Sequence, residues 1–278
     1  MRRMYELQVL KIIIIFLLLD CYTLFAQNVS RIVFDEKTKL PVEYVNIGVV
    51  EKNTGTVSDL SGYYSLFIDS CFDNNILLFS SIGYYPFSIK VADLKAKADK
   101  NIYLKPKSYE ISEVIVRPKV YKERTLGVTS RNKKVAAGFE NNLPGYELGI
   151  LMHCKKSVFI KKVIINIANC TYDSVFYRLN IYKVRGKMNF ENVLVSPIYF
   201  HRSKQETNKE IQLNLESQNI VVDGDFLVTL EHVKDLGKGS LNFCIGLFEK
   251  TYYRKTSQGD WKTIPIGVSI SVEADVEK

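Results

Sequence analysis

The residues able to do chemistry in this 278-residue chain are three histidines, a few acids near turns, and one tryptophan close to paired tyrosines. A hydrolytic zinc site needs His-x-x-Glu plus a distant third ligand, because two ligands must converge on one face while another arrives from elsewhere. His153 and His201 lead instead to Lys156 and Lys204, and the nearest approach, His232-Val-Lys-Asp235, reads as a strand-end histidine beside a turn. No metal site is predicted. Glycosidase-type carboxylates need only meet in space, and Glu140, Glu147, Asp223 and Asp225 are the candidates. Asp223-Gly224-Asp225 is better explained as a turn before the strand at Phe226, and two acids fall short of the six or more oxygens that calcium wants. There is no Gly-x-Ser-x-Gly elbow, phosphate loop or Gly-x-Gly-x-x-Gly fingerprint. The sequence thus predicts no catalytic residue and no cofactor.

The remaining candidate is a ligand platform made of Tyr252, Tyr253, Arg254 and Trp261, on either side of a turn at 255–260. In a hairpin these rings could share a face, burying the apolar C–H surface of a sugar or peptide while Arg254 fixes its polar groups. The plainer alternative is that the rings cap a sandwich edge.

The elements that must position these residues are strands. Around 55–66 the chain reads GTVSDLSGYYSL, in which Asp59 can fold back onto amides ahead of it and Gly62 can take a positive φ, closing a tight turn. The flanks alternate, with Tyr64, Leu66 and Ile68 on one face and Tyr63, Ser65 and Phe67 on the other, so a hairpin is expected. Further strands are read at 30–35, 44–51, 76–82, which Gly83 ends, 87–91, 101–104 and 113–116, with a loop or one helical turn at 93–100. Residues 118–132 are polar and basic and read as a linker. Beyond it, strands are expected at 146–153, 158–167, 176–184, 194–200, 210–215, 226–231, 241–248 and 268–272. In 162–167 and 176–183 polar and apolar residues interleave, which predicts one wet and one buried face.

Four ordered blocks stand out: Val33-x-Asp35-x-x-Thr38 with Pro41 and Val45-Asn46-Ile47; Gly55-Thr56-Val57-Ser58-Asp59-x-x-Gly62-x-Tyr64; Phe79-Ser80-x-Ile82-Gly83-Tyr84; and Leu104 with Ile111-x-Glu113-Val114-Ile115-Val116. Together they resemble the carboxypeptidase-regulatory-like domain, a small transthyretin-like β-sandwich common in envelope proteins of Bacteroidetes-type bacteria. Arg31 and Lys39 stand where the family often has Gly, and Ser81 where it often has an aromatic. The resemblance covers about 28–117 and extends to a regulatory domain without peptidase machinery; it implies company with outer-membrane receptors and surface glycan or protein systems. It carries over no functional residue beyond the structural turns at Asp59, Gly62 and Gly83. The second half resembles jelly-roll accessory domains in architecture alone.

The whole is therefore expected to be all-β: signal peptide 1–26, a seven-stranded transthyretin-like sandwich at 27–117, linker 118–132, and a larger jelly-roll-like sandwich at 133–278. Arg2, Arg3 and Lys11 precede an apolar run at 12–19, with Ala26-Gln27 as the cleavage point, and no later run is long enough to be a transmembrane helix. Export follows, to the periplasm, the outer-membrane surface or the medium. Asp20 sits where a lipid-attachment signal wants a small residue, which counts against lipidation of Cys21. In an oxidising compartment Cys71, Cys154, Cys170 and Cys244 allow three disulfide connectivities, while their apolar surroundings suit buried free thiols equally well. The net charge of +8 is spread along the chain among acids, so no nucleic-acid partner is expected. The functional expectation is a non-enzymatic envelope protein that meets an envelope protein, a glycan or a peptide. The alternatives are a carbohydrate- or peptide-binding accessory protein, and a hydrolase with an unrecognised carboxylate site.

Overall fold

The computed structural model describes residues 27–97, 101–108, 120–139, 142–208 and 210–278. The segment read as a signal peptide, the strand expected at 113–116, Cys21 and Glu140 lie outside the described residues.

The N-terminal half has β1 (Gln27–Asp35), β2 (Asn46–Val49), β3 (Gly55–Val57), β4 (Tyr63–Ile68), β5 (Ile76–Ser80), β6 (Phe87–Lys90) and β7 (Ile102–Leu104). They form two sheets, β4-β1-β7 and β3-β2-β5-β6, antiparallel except where β1 runs parallel to β7. The alternation expected for β4 holds: Tyr64, Leu66 and Ile68 are buried, and Tyr64 meets Phe79 of the other sheet edge-on, ring centroids 5.5 Å apart. The turn chemistry holds as well. Asp59 Oδ1 accepts from the amides of Ser61 (2.8 Å) and Tyr63 (3.0 Å), and Gly62 has φ +71°, where a Cβ would lie 2.6 Å from the Val33 carbonyl. The hairpin does not form. β3 pairs with β2 and β4 with β1, so the turn is a corner that carries the chain from one sheet to the other. Buried Ser58 fixes that corner, its Oγ accepting from Val45 N (2.8 Å) and donating to Val42 O (3.3 Å). The segment read as a loop or single turn at 93–100 begins earlier, as helix α1 (Val91–Ala96), because Val91 and Leu94, one turn apart, are fully buried in the core.

The C-terminal half has β8 (Tyr121–Gly127), β9 (Ala136–Gly138), β10 (Glu147–Met152), β11 (Ser157–Ile165), β12 (Ile167–Cys170), β13 (Ser174–Gly186), β14 (Asn189–Asn192), β15 (Ile198–Ser203), β16 (Ile211–Asn214), β17 (Val221–Asp223), β18 (Phe226–His232), β19 (Leu241–Gly246), β20 (Thr251–Arg254), β21 (Lys262–Ile264), β22 (Gly267–Val268) and β23 (Ile270–Glu277). The largest sheet runs β14-β13-β18-β10-β20-β21, with β15 also on β13; a second runs β16-β11-β23-β8, with β17 also on β11; a third runs β12-β19-β22, with β9 also on β19. Their inward faces share one core that includes Tyr177, Leu179 and Ile181 of β13, Ile160 and Val163 of β11, and Phe243 of β19. The segment read as a linker is corrected here. β8 is a strand paired with β23, at the sheet edge among the described residues, and Val128 after it enters the core, because Leu126 and Val128 supply apolar anchors that the polar composition of 118–132 masks.

The two halves meet on the outward face of the largest sheet. Tyr44 packs against Phe176 and Tyr199 at 5.5 and 5.2 Å, and Gln258 Nε2 donates to Ser80 Oγ at 2.7 Å. Gly48 and Gly55 are register partners on β2 and β3, and a Cβ on either would come within 2.2 or 2.4 Å of the Ser257 carbonyl. Bare backbone at this pair lets the 256–258 loop lie directly on the N-terminal sheet. Among the described residues all four cysteines are free, and no helix is long and apolar enough to cross a membrane.

Candidate functional site

Strand register places four charged residues in one cross-strand row on that outward face. Arg178 stands opposite Glu231, Glu231 opposite Glu147, and Glu147 opposite Arg254. All four are buried, both glutamates completely. Arg178 donates through Nε and Nη2 to Glu231 Oε2 at 3.1 and 2.8 Å, and Arg254 donates through Nε to Glu147 Oε2 at 2.8 Å. Between the pairs, Asn180 Nδ2 donates to Glu147 Oε1 (2.9 Å) and to Glu231 Oε2 (2.8 Å). The Tyr182 hydroxyl (2.8 Å) and the Thr229 hydroxyl also donate to Glu147 Oε1.

Two carboxylates facing each other across neighbouring strands repel. The flanking guanidiniums offset this and bring the row's formal charge to zero. For Glu231, burial opposes ionisation, but the Arg178 and Arg254 charges outweigh it and hold the carboxyl below its ordinary range. For Glu147, burial dominates and, with the Glu231 charge beside it, pushes the carboxyl up despite Arg254. Burial and then the Glu147 charge drive the Tyr182 phenol well above its usual value.

The N-terminal half closes over the row. Arg178 Nη1 donates to the Tyr44 carbonyl at 2.7 Å and Nη2 to Asn46 Oδ1 at 2.5 Å, so one guanidinium binds both halves. Beside this latch a cleft of about 310 Å³ stays open. Arg178, Asn180, Tyr182 and Arg254 line one wall, and Asn46 and Ser80 the other. Phe190 also lines it and extends the cleft into an aromatic cluster: its ring lies 5.3 Å from Trp261 and 5.8 Å from Tyr252, with the Arg254 guanidinium 5.0 Å over the Trp261 ring. Guanidinium, amide and phenol groups beside flat rings suit a ligand carrying polar groups on a stiff apolar skeleton.

Of the predicted platform, Tyr252, Arg254 and Trp261 come together and Tyr253 does not. β20 and β21 do pair as a hairpin, but consecutive strand residues face opposite ways, and Tyr253 turns inward, 6.5 Å from Tyr146. The wet face expected on β13 is also corrected. Arg178, Asn180 and Tyr182 are buried because the N-terminal half covers them. These residues, with Glu231 and Phe190, escape a reading of local pattern; the one signal for them is a glutamate that closes the mostly apolar run 226–231 and an arginine at the matching place on a neighbouring strand.

The other candidates lie apart. His232 is wholly buried between Phe139 and Tyr177, ring centroids 4.2 and 4.6 Å away, and burial lowers its pKa to about 3. His153 is exposed and meets Asp225 at 3.0 Å, while the other Asp225 oxygen accepts from Cys154 N at 2.9 Å; this acid holds a turn. His201 is exposed on β15, and Asp223 ends β17 opposite Ser157. Among the described residues no three His, Cys, Asp or Glu side chains cluster as a metal site would require. Gly83 has φ +89°, and its carbonyl accepts from Lys107 N at 2.8 Å, while Tyr84 donates to Asp35 at 3.0 Å.

Residues 32–116 match a family model described as the CarboxypepD_reg-like domain. No curated protein matches the chain. Among solved structures, the chain is similar at 10% identity to the infectious bursal disease virus VP2 subviral particle, over 90% of this chain and 64% of that one, with a TM-score of 0.16. It is similar, also at 10% identity, to the T=1 particles derived from the same virus, over 91% and 78% of the two chains, with a TM-score of 0.17. The chain thus spans under two thirds of the VP2 chain of the subviral particle. The part of the molecule that closes over Arg178 is a CarboxypepD_reg-like domain, present at about residues 32–116.

Proposed function

We propose that the protein is a non-enzymatic, exported component of the cell envelope. In this reading a transthyretin-like N-terminal sandwich is a docking module locked onto a larger, jelly-roll-like sandwich, and the second presents the binding surface. The observation that carries it is the Arg178 latch, which holds the two halves in fixed register and leaves a polar cleft with an aromatic rim. Fixed walls lower the ordering cost of binding.

A more specific reading, a carbohydrate- or peptide-binding accessory protein, is favoured by the packing of Phe190, Tyr252 and Trp261 around Arg254. A hydrolase gains nothing from the Glu147 and Glu231 pair, since both carboxylates are enclosed and each is held by an arginine.

The test is a glycan and peptide array with the chain from Gln27 to Lys278, followed by titration of any hit. Trp261 is the sole tryptophan, so its fluorescence reports on the rim directly. Saturable binding that falls at least tenfold in Phe190→Ala and Arg254→Lys supports a ligand in the cleft. Binding unchanged in both variants sinks that site, and no binding at all leaves docking to a protein partner as the role.

A further inference from the structure

A second cavity, about 460 Å³, opens at the far edge of the C-terminal half, between the start of β8, the turn joining β10 to β11, and the end of β23. Five cations line it: Lys122, Arg124, Lys155, Lys156 and Lys278. None of the five forms an ion pair among the described residues. The sheet sorts its charges by face. Glu123 on β8 and Asp275 and Glu273 on β23 point outward and pair with Lys161 and Lys162, at 2.8, 3.8 and 2.9 Å. Lys122 and Arg124 alternate to the opposite side, the side of Val276 and Ala274, where β8, the edge strand among the described residues, leaves them lining the cavity.

The turn is held in place as well. Asp225 accepts from Cys154 N at 2.9 Å and meets His153 at 3.0 Å, and Gly224 N donates to the Lys156 carbonyl at 3.3 Å. Lys155 and Lys156 thus leave a fixed backbone toward the same trough. Two acids, Asp225 and Glu277, also line the cavity, and the α-carboxylate of Lys278 offsets that residue's own ammonium, so the four cations Lys122, Arg124, Lys155 and Lys156 exceed two acids.

We propose that this cavity binds a multivalent phosphate-bearing anion. The charge is scattered in the sequence, and only the meeting of β8, the β10–β11 turn and β23 gathers it. Several unneutralised cations around one concavity favour an anion with several charges over a monovalent one, because each added close pair contributes and the focused field is strongest inside the trough.

The experiment is calorimetric titration of the full chain with tripolyphosphate at about 50 mM and about 200 mM salt, the range over which screening takes hold. Saturable binding that weakens with salt is expected. It should fall at least tenfold in Lys122→Glu/Arg124→Glu and less than threefold in a control with the same charge change, Lys187→Glu/Lys250→Glu. Vesicles of phosphatidylglycerol, with phosphatidylcholine as the blank, distinguish the source: capture lost in the same variant assigns a lipid headgroup, and tripolyphosphate binding without capture assigns a free or glycan-borne phosphate. Equal losses in the two variants would show a general effect of net charge and overturn the site. So would an absence of binding by the wild type; a charge-reversed variant that then self-associates would make Lys122 and Arg124 guards of an exposed sheet edge.

Discussion

The C-terminal half carries two cross-strand sets of arginine or lysine with glutamate or aspartate, and they differ in what surrounds them. On the largest sheet the row from Arg178 to Arg254 is buried, and Asn180, Tyr182 and Thr229 donate to Glu147 within it, while Glu231 Oε1 has no hydrogen-bond partner among the described residues. On the second sheet, Lys161 and Lys162 meet Glu123 and Glu273 with their side chains partly in water. Residue types and spacing are nearly the same, so water decides what each set does. Exposed pairs exchange solvent contacts for protein contacts at little gain. Buried ones cost several kcal/mol per ion to desolvate and persist only while every partner is in place.

The sharpest way to break the comparison is therefore to remove one member of the buried row. Arg178→Leu strips Glu231 of its countercharge and frees the Tyr44 carbonyl and Asn46 at once. A loss of about 3–5 kcal/mol is expected in urea unfolding, the range for an uncompensated buried charge. Replacing both partners, Arg178→Leu with Glu231→Leu, should recover a large part of it. A single variant that loses less than about 1 kcal/mol would mean that water already reaches the row.

The sequence shows this arrangement unevenly. Local rules were legible where the cause is local: the Asp59 to Gly62 turn, the alternation of β4 and the seven strands at 27–104 follow from side-chain type and period. What the rules missed depends on distant partners. A tight turn between two strands looks the same whether they pair with each other or leave for different sheets, so the corner after β3 read as a hairpin. β8 read as a linker because an edge strand need bury only a few side chains, here Leu126 and then Val128. Arg178 and Asn180 alternate on β13 as solvent-facing residues do, and nothing within the strand announces that another domain covers them.

The covering itself can be perturbed without touching a charge. Gly48→Ala puts a methyl against the Ser257 carbonyl, 2.2 Å from the ideal Cβ position, where backbone rather than a flexible side chain must yield. A cost of about 1–3 kcal/mol is expected, typical of forced overpacking. If the junction opens instead of straining, limited proteolysis will cut near 120 and 256–258 faster than in the wild type.

His232 tests the inward face of the same sheet, where a titratable group is buried with the Tyr177 hydroxyl 3.3 Å from its Nε2 and, among the described residues, no charge in contact with the ring. Its Nδ1 is buried with no hydrogen-bond partner, and its pKa is lowered to about 3 from an ordinary value near 6.5. The unfolded chain thus takes up a proton that the folded one refuses. The stability due to neutral His232 is complete above about pH 6.5 and is lost as pH falls toward about 3, at roughly 1.4 kcal/mol per pH unit. By pH 5 the loss is about 2 kcal/mol. Stability measured between pH 7 and 5 should slope less in His232→Gln than in the wild type, whatever their absolute difference. Parallel slopes would place a water or a hydrogen-bond acceptor beside the ring.

The smallest effect should come from the exposed set, and its smallness is what gives the comparison its meaning. Lys162→Ala removes the 2.9 Å contact with Glu273. Both side chains are about one third exposed, so the Coulomb gain is screened and the ordering of two long side chains offsets part of it. The expected loss is below about 1 kcal/mol in low salt and disappears at about 1 M, where the Debye length shrinks to roughly 3 Å. A loss as large as that of Arg178→Leu, and insensitive to salt, would mean that the position of a charge in a strand ladder matters more than its exposure, and the contrast between the two sheets would have to be drawn from register instead.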